Sequence, residues 1–286
     1  IDVGNMTGRL GADDMHDEVM HGIRKAMDQV KPDAWLVAEN GDFVASDLNG
    51  FGWHGAMNYQ GFMRPVWNWV NLNTTIGGGF QGLPFSMPKI NGKQLVASMN
   101  SFNGSIPWRS LVASMVLLDS HDTARMRTVV LGDKGLHLTA MTLLLTYPGV
   151  PSIFAGDEIG LEGSSGEDSR RTINWEDQSS WDTAFLSEVK NLVAIRKKHD
   201  ALINGGLRWV LVEDDCLAFL RESKKETVLV FISRGKVKTS IDLTKHGYVV
   251  KESLYGISGT GSTISVKADK PTQGVWVLES SQKLSG

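Results

Sequence analysis

Acidic residues stand at the ends of three predicted strands, and a histidine accompanies one of them. The run Val116-Leu117-Leu118 leads into Asp119-Ser120-His121-Asp122, which supplies hydroxyl, imidazole and carboxylate groups. Glu39 follows the apolar run at 34–38, and Asp2 follows Ile1. Apolar runs this short are typical of buried strands. Polar groups at the carboxyl ends of such strands stand where α/β proteins bind their ligands.

These residue types are compatible with more than one chemistry. Two carboxylates in different surroundings can act as acid and nucleophile, as in retaining glycosidases, which hold the pair about 5–5.5 Å apart. Alternatively, Asp2, Glu39, His121 and Asp122 could ligate Mg²⁺, Mn²⁺ or Zn²⁺ in a metal-dependent barrel hydrolase or lyase. A third alternative is a non-catalytic carbohydrate-binding barrel. Locally, Asp122 or Thr123 could simply form a turn or cap a helix.

Elements of alternating type would position these residues. Apolar spacing predicts helices at 15–30, 64–70, 106–115, 136–147 and 183–199. Strands are predicted at 34–38, 54–59, 116–118 and 151–156. Alternation of strand and helix indicates parallel βα units, whose strands end in Asp2, Glu39, Asn58, Asp122 and Asp157. Polar strand ends above apolar strands suggest the catalytic face of a (β/α)8 barrel, but about five strands are too few to close one.

The chain changes character near Gly205. Short alternating or β-branched runs at 207–212, 216–220, 228–232, 248–250 and 275–278 are separated by turns, the rhythm of a β-sandwich. We therefore predict a partial barrel at 1–204 and a C-terminal sandwich at 205–286. The region 42–103 is interpreted as largely irregular, with a flexible loop at Gly77–Gly82.

Composition limits the function classes. The formal net charge is −3 and no block of like charges occurs, which argues against nucleic acid or an anionic membrane surface as the main partner. The longest apolar runs are too short to span a membrane. The single cysteine, Cys216, excludes an intrachain disulfide.

Four stretches, taken in order, resemble conserved motifs of glycoside hydrolase family 13, the α-amylase superfamily. Ile1-Asp2-Val3-Gly4-Asn5 resembles the end of the fourth-strand motif, and Leu36-Val37-Ala38-Glu39 resembles the fifth. Leu118-Asp119-Ser120-His121-Asp122 resembles the seventh. The stretch from Tyr147 to Gly160 resembles the eighth-strand region, and Arg170-Arg171 with Trp175 resembles the segment that comes after that strand. The resemblance covers about residues 1–177 strongly and the C-terminal part loosely.

The resemblance implies a role for each site residue. Asp2 would be the nucleophile, Glu39 the general acid/base and Asp122 the transition-state stabiliser. His121 would bind substrate, as would Asn5, which stands where the cyclomaltodextrinase–neopullulanase branch carries a substrate-contacting Asn. The implied reaction is hydrolysis or transglycosylation of α-glucosidic bonds in starch-type glucans with retention. Arg170 and Arg171 could equally be structural ion-pair partners of Asp157 or Glu158, so they are not counted among the catalytic residues.

Several features of the family pattern are missing. The Arg that precedes the nucleophile by two residues, the first three strands and the inserted domain that often carries calcium would all precede Ile1. Ala38 replaces a common Gly. We therefore expect a C-terminal fragment that is inactive or nearly so, because a general acid needs an enclosed site to raise its pKa. No cofactor is expected apart from calcium through the absent domain. Exposed strand edges should favour self-association, and a cytoplasmic location is expected.

Overall fold

The structure, a computed structural model, describes residues 1–41, 43–72 and 87–281. The loop interpreted at Gly77–Gly82 lies outside the described residues. The helices are α1 (His16–Val30), α2 (Arg64–Val70), α3 (Gly92–Asn103), α4 (Trp108–Ala113), α5 (Met126–Val129), α6 (Lys134–Thr146), α7 (Gly166–Ser169), α8 (Thr183–Lys198) and α9 (Asp200–Asn204). The strands are β1 (Arg9–Leu10), β2 (Asp13–Asp14), β3 (Val37–Ala38), β4 (Gly55–Ala56), β5 (Met115–Leu117), β6 (Val150–Ser152), β7 (Gly206–Val212), β8 (Cys216–Glu222), β9 (Thr227–Ser233), β10 (Val237–Asp242), β11 (Tyr248–Gly256), β12 (Thr263–Ala268) and β13 (Thr272–Ser280).

The chain divides into two compact units, each formed from separate segments. The first unit comprises residues 1–65, 97–117 and 149–152, and the second comprises 66–96, 118–148 and 153–286. This division does not follow the predicted boundary at 205, which stays a prediction. No helix in the described part of the chain is both long and apolar enough to cross a membrane.

Short parallel strands organise the first unit. Strand β3 pairs with β4, β5 pairs with β6, and a parallel bridge joins Met57 to Met115. The segment at 1–3 runs beside β3, because Ile1 N donates to Val37 O and Glu39 N donates to Ile1 O, each at 2.8 Å. Parallel strands in sequence order require long crossover connections between them. Helix α1 lies in the connection between 1–3 and β3, and α6 lies in the one between β5 and β6, whereas the described residues between β3 and β4 contain no helix.

The core of the first unit forms where helix α1 meets these strands. Met20, Ala38, Leu48 and Trp53 are fully or almost fully buried and pack with partly buried apolar neighbours that include Ile23. The spacing of Met20 and Ile23 places both on one face of α1, so burial of that face fixes the helix beside the strand that precedes Glu39.

The second unit contains the C-terminal sheets. A five-stranded antiparallel sheet has the order β11–β13–β9–β8–β7, and β10 pairs with β12. The inward-facing residues of both sheets share one buried core that includes Phe231, Ile264 and Trp276, which is the arrangement of a sandwich. Buried Arg221 donates to the carbonyl oxygens of Thr146 and Gly205, so it ties the end of α6 to the start of β7.

Several predicted elements differ from those observed. The strands predicted at 34–38, 54–59 and 151–156 are shorter in the structure, at Val37–Ala38, Gly55–Ala56 and Val150–Ser152. The predicted helix at 106–115 ends at Ala113, because Met115 begins β5, whose pairing with β6 requires extended backbone. The region interpreted as irregular contains α3, whose buried residues Leu95 and Met99 recur at helical spacing. Val96 and Ala97 stand between them, so the apolar residues form a nearly continuous run in which the helical period is hard to recognise.

Candidate active site

Backbone hydrogen bonds place Asp2 beside Glu39 in the first unit. The ladder between 1–3 and β3 continues as Gly4 N donates to Glu39 O at 2.7 Å. Val3 N donates to Glu39 Oε2 at 3.0 Å, so the residue next to Asp2 holds the Glu39 carboxylate directly. Asp2 is exposed and Glu39 is half-buried. These two carboxyl groups therefore lie at the ends of neighbouring parallel segments.

The turn after Asp2 depends on an unusual backbone and on a close approach. Val3 has φ 43° and ψ 50°, a left-handed conformation that is rare for a β-branched residue. A Cβ on Gly4 would lie 2.7 Å from the Cβ of Ala38, too close for any real pair. The methyl group of Ala38 therefore occupies the space that Gly4 leaves open. Ala38 is the position at which many members of the resembled family have Gly. Asn5 follows in a 3-10 turn, Gly4–Met6, and its carbonyl oxygen accepts from Arg9.

A buried polar chain beside Glu39 was not foreseen from the sequence. Asn40 Nδ2 lies 3.4 Å from Asp47 Oδ2, and the same oxygen lies 3.4 Å from His16 Nε2. His16 Nδ1 is 2.7 Å from Thr7 O. All three side chains are almost fully buried. These contacts connect Asn40, the residue after Glu39, to Thr7 in the loop after Asn5. Asp47 and His16, the central pair, are too far apart in sequence to form a recognisable motif.

In the second unit, Ser120 forms a turn. Ser120 Oγ accepts from Asp122 N at 3.2 Å, and Thr123 Oγ1 accepts from Ser120 N at 2.9 Å. Of the two residues in the alternative of a turn or cap, Thr123 therefore forms the turn with its side chain, together with Ser120, which that alternative did not include. The cap-like hydrogen bond to α5 comes from Asp119, whose Oδ2 accepts from Met126 N at 2.6 Å.

His121, Asp122 and Arg170 form a partly exposed group. His121 Nε2 lies 3.5 Å from Asp122 Oδ2, and Arg170 Nη2 lies 3.2 Å from Asp122 Oδ1. Arg170 Nε also donates to His121 O at 3.1 Å. This corrects the interpretation of the arginine pair, because Arg170 contacts Asp122 and Arg171 pairs with Asp168. The sequence shows the two adjacent arginines, but it does not show which carboxyl group each of them contacts.

A buried charge cluster underlies that group. Arg125 Nη1 lies 2.7 Å from Asp157 Oδ1, and the same guanidinium donates to Ser169 O and Ala155 O. Ser169 in turn donates its hydroxyl to Thr123 O at 2.6 Å. The cluster therefore fixes the residue before Arg170 to the residue after Asp122. A Cβ on Gly166 would lie 3.0 Å from the backbone of Asp122, so that backbone is also packed from a second side.

Asp119 and Asp157 bring two buried carboxyl groups together within the cluster. Asp119 Oδ1 is buried and receives no N–H or O–H donor from the described residues, but it faces the Asp157 carboxyl. Burial raises the pKa of both groups, and for Asp157 the adjacent Asp119 raises the pKa further, against the opposing charge of Arg125. Two neighbouring carboxyl groups can hydrogen-bond to each other only when one of them carries a proton. We therefore expect the pair to share one proton, so that one negative charge balances Arg125.

The structure thus groups the predicted residues within each unit: Asp2, Asn5 and Glu39 in the first, and His121 and Asp122 in the second. Two other predicted strand-end residues are structural, because Asn58 Oδ1 accepts from Gly61 N at 2.9 Å and Asp157 pairs with Arg125. Among the residues that the structure describes, no group of three or more His, Cys, Asp or Glu side chains is arranged to hold a metal ion.

Comparison with known protein families identifies the class of domain. Residues 11–170, more than half of the chain, match the family described as alpha amylase, catalytic domain. The chain belongs to the alpha-amylase family. The resemblance inferred from the strand-end motifs is therefore confirmed.

Curated relatives of this alpha-amylase family chain are considerably longer than the chain itself. An amylopullulanase of Thermoanaerobacter thermohydrosulfuricus is 32% identical over 272 residues, which cover 82% of this chain and 18% of that enzyme. A cyclomaltodextrinase of a Bacillus species is 31% identical over 229 residues, 78% of this chain and 38% of the relative. The chain thus spans less than two fifths of the length of these relatives.

Solved structures support the same fold. The Nostoc punctiforme debranching enzyme soaked with acarbose superposes with a TM-score of 0.78 at 23% identity, covering 92% of this chain and 54% of that one. A cyclic α-maltosyl-(1→6)-maltose hydrolase from Arthrobacter globiformis gives a TM-score of 0.71 at 24% identity, covering 90% and 53%. At these identities the likeness concerns the fold alone, a mixed α/β domain with a C-terminal β region.

Proposed function

We propose that this alpha-amylase family chain carries the catalytic residues of a retaining glycosidase acting on α-glucosidic bonds of starch-type glucans. The observation that carries the proposal is the parallel ladder that sets Asp2 beside Glu39, with Val3 N on the Glu39 carboxylate. Hydrolysis through a glycosyl-enzyme requires two carboxyl groups close together, one as the nucleophile and one as the general acid/base.

The spacing of strands favours retention over inversion. Neighbouring strands lie about 4.7–4.9 Å apart. Retaining enzymes hold their two carboxyl groups about 5–5.5 Å apart, whereas inverting enzymes need about 6.5–9.5 Å to admit a water molecule between acid and base. We therefore expect carboxyl groups from adjacent strand ends to lie at the shorter separation.

The proposed reaction proceeds in two steps. In the first, the Asp2 carboxylate attacks the anomeric carbon while Glu39 gives its proton to the departing glycosidic oxygen. In the second, Glu39 takes a proton from a water molecule that attacks the same carbon and releases Asp2. Asp122, His121 and Asn5 would hold sugar hydroxyls, and a sugar hydroxyl in place of water would give transglycosylation.

Arg170 gains a role in this proposal that the sequence did not suggest. Its contacts with Asp122 and with the carbonyl oxygen of His121 limit the orientations of both residues. We assign Arg170 as a positioning residue, because it acts through Asp122.

We further propose that residues 1–204 form the second half of a (β/α)8 barrel. Five parallel segments in sequence order support it: the segment at 1–3, β3, β4, β5 and β6. Five strands leave a site less enclosed than eight would, so we expect this chain alone to turn over starch or cyclodextrin far more slowly than the Bacillus cyclomaltodextrinase. The open strand edges of such a half barrel would favour association with a second copy. A strict monomer by light scattering would argue against that association.

A covalent label tests the roles of Asp2 and Glu39 even if turnover is slow. An α-glucose-configured cyclitol epoxide forms an ester with a glycosidase nucleophile, and the epoxide oxygen takes a proton from the general acid. We expect one adduct, mapped by mass spectrometry to the peptide that contains Asp2. Asp2→Asn should abolish it, and Glu39→Gln should slow it by about 10²-fold or more.

The matched control is Asp13→Asn, which removes an exposed carboxylate from the same N-terminal segment. This variant should label at the wild-type rate. An adduct on any carboxyl group other than Asp2 would contradict the assignment.

A further inference from the structure

One exposed aromatic residue is not used by the proposed chemistry. Trp175 is 66% exposed, whereas Trp53, Trp67, Trp69 and Trp276 are almost completely buried. Its ring meets the half-buried ring of Trp181 edge-on, with centroids 5.5 Å apart and an interplanar angle of 80°. An edge-to-face neighbour supports one indole while its broad face stays accessible.

The segment that presents Trp175 is fixed by its own turns. Asn174 Oδ1 accepts from the backbone N–H groups of Glu176 and Asp177, at 3.2 and 3.0 Å. Trp181 N donates to Gln178 O at 3.0 Å. These hydrogen bonds reduce the entropy that the segment would lose when a ligand binds.

The chemistry around the ring indicates the class of ligand. Residues 174–180 are all exposed and, apart from Trp175, carry amide, carboxylate or hydroxyl side chains. Interface cores between proteins are depleted in Asp, Glu and Ser, so this composition is unlike a protein-docking patch. An aromatic face surrounded by hydrogen-bonding side chains suits a neutral ligand with apolar faces and many hydroxyl groups, which is a sugar.

The segment is continuous with the group around Asp122. Arg170, which contacts Asp122 and His121, precedes Trp175 by five residues. A chain of five residues spans at most about 18 Å. A glucan held at Asp122 would therefore pass within reach of Trp175 if it extended toward this segment.

We infer that Trp175, supported by Trp181, is a sugar-binding subsite that stacks against a glucosyl ring of an α-glucan chain bound at Asp122. The inference rests on the proposed function for its ligand, since it adds a subsite to the same site. It makes Trp175 a residue that determines affinity for longer glucans and takes no part in bond cleavage.

The test is calorimetric binding of maltoheptaose to the full chain. Trp175→Ala should weaken binding by about tenfold or more, because the apolar face of the glucosyl ring would no longer be buried against the indole. Trp175→Phe should retain most of the affinity, because the aromatic face remains. Thermal unfolding should be unchanged, since Trp175 is largely exposed.

Trp108→Ala is the matched control, because Trp108 is 45% exposed but lies at the start of α4 in the first unit. It should bind maltoheptaose as the wild type does. The inference is overturned if Trp175→Ala binds within twofold of the wild type, if Trp108→Ala loses as much affinity, or if the wild type does not bind maltoheptaose.

The epoxide label separates failure of this subsite from failure of the proposed function. If the epoxide does not label Asp2 but maltoheptaose binding still depends on Trp175, the catalytic proposal fails and the subsite stands. If Asp2 is labelled and Trp175→Ala binds maltoheptaose normally, the subsite alone is wrong.

Discussion

Glu39 is held by backbone hydrogen bonds, whereas Asp122 is held by Arg170, whose neighbour Ser169 is fixed by a buried charge cluster. In the first unit, the ladder between 1–3 and β3 fixes Glu39, and Val3 N donates to its carboxylate. In the second unit, Arg125 binds Asp157 and the carbonyl oxygen of Ser169, next to the arginine that contacts Asp122. The two regions thus use different interactions to position a carboxyl group.

This difference has physical consequences. A backbone ladder is insensitive to pH, but it tolerates little change in the volume of the residues that pack across it. A buried charge cluster depends on the protonation of its members and is costly to break, because the remaining charge loses its partner in a medium that solvates it poorly. Substitutions in the two regions should therefore differ in three ways. These are the size of the loss in unfolding free energy, whether a second substitution restores that free energy, and how the loss depends on pH.

Loss of the Arg125 guanidinium should give the largest effect. Arg125→Met leaves the Asp119–Asp157 pair without its cation and leaves Ser169 O and Ala155 O without this donor. Breaking a buried pair in this way costs about 3–5 kcal/mol. Urea unfolding should show this loss.

The control, Arg109→Met, removes an exposed guanidinium from the first unit and should change the free energy of unfolding by less than about 0.5 kcal/mol. A loss below about 1 kcal/mol for Arg125→Met would show that the cluster does not stabilise the second unit.

A methyl group added to either glycine beside the site should give the next largest effect. Gly4→Ala brings two Cβ atoms to 2.7 Å, and overpacking of this kind costs about 1–3 kcal/mol in unfolding free energy. Gly166→Ala meets the backbone of Asp122 at 3.0 Å and should cost a similar amount.

Rescue distinguishes the two glycines. Ala38→Gly removes the atom that Gly4→Ala would meet, so the double variant should recover most of the unfolding free energy. The neighbour of Gly166 is main chain, which no substitution can shorten. If Ala38→Gly fails to rescue Gly4→Ala, the close approach of the first segment to β3 is not the cause of the loss.

The sequence predicted the local features of both regions better than the contacts between them. Apolar runs before Glu39 and Asp122 identify strand ends, and the spacing from Met15 to Val30 predicts α1, because burial of one face imposes these patterns. Arg125 and Asp157 are 32 residues apart and have no pattern in common. Their pairing follows from tertiary packing, as does the contact between Arg170 and Asp122, so neither could be derived from spacing alone.

The shared proton gives the second unit a pH dependence that the backbone ladder lacks. Burial and the adjacent Asp119 raise the pKa of Asp157 well above its ordinary value of 3.8, so the folded chain keeps a proton that the unfolded chain loses. This contribution to stability is complete below about pH 3.8 and is lost as pH rises toward the pKa of the folded state. Asp157→Asn keeps a neutral hydrogen-bonding group at all pH values. Relative to the wild type, its unfolding free energy should therefore rise as pH increases above about 4.

Asp168 provides a control of opposite sign for that pH series. Hydrogen bonds from Ser164 and the charge of Arg171 lower the pKa of Asp168 from 3.8 to about 2. Its contribution is complete above about pH 3.8 and is lost as pH falls toward 2. Relative to the wild type, Asp168→Asn should therefore become less stable as pH rises from 2 to 4 and show no further change above that. Parallel pH profiles for the two variants would contradict the assignment of the shared proton.

The smallest effect concerns backbone strain, which both units contain. Among the described residues, Val3 and Leu131 are the non-glycine residues with positive φ, at 43° and 49°. Such a conformation costs about 1–3 kcal/mol, and glycine relieves it at an entropic cost of about 0.5–1 kcal/mol. Val3→Gly and Leu131→Gly should therefore each raise the unfolding free energy by about 1 kcal/mol.

The two variants should differ in one respect, because only the N–H of residue 3 donates to Glu39. Val3→Gly should speed hydrogen exchange at that N–H and slow epoxide labelling of Asp2, whereas Leu131→Gly should leave labelling unchanged. If Val3→Gly gains stability without slowing the label, then the strained turn fixes the backbone but not the reactive geometry of the carboxyl pair.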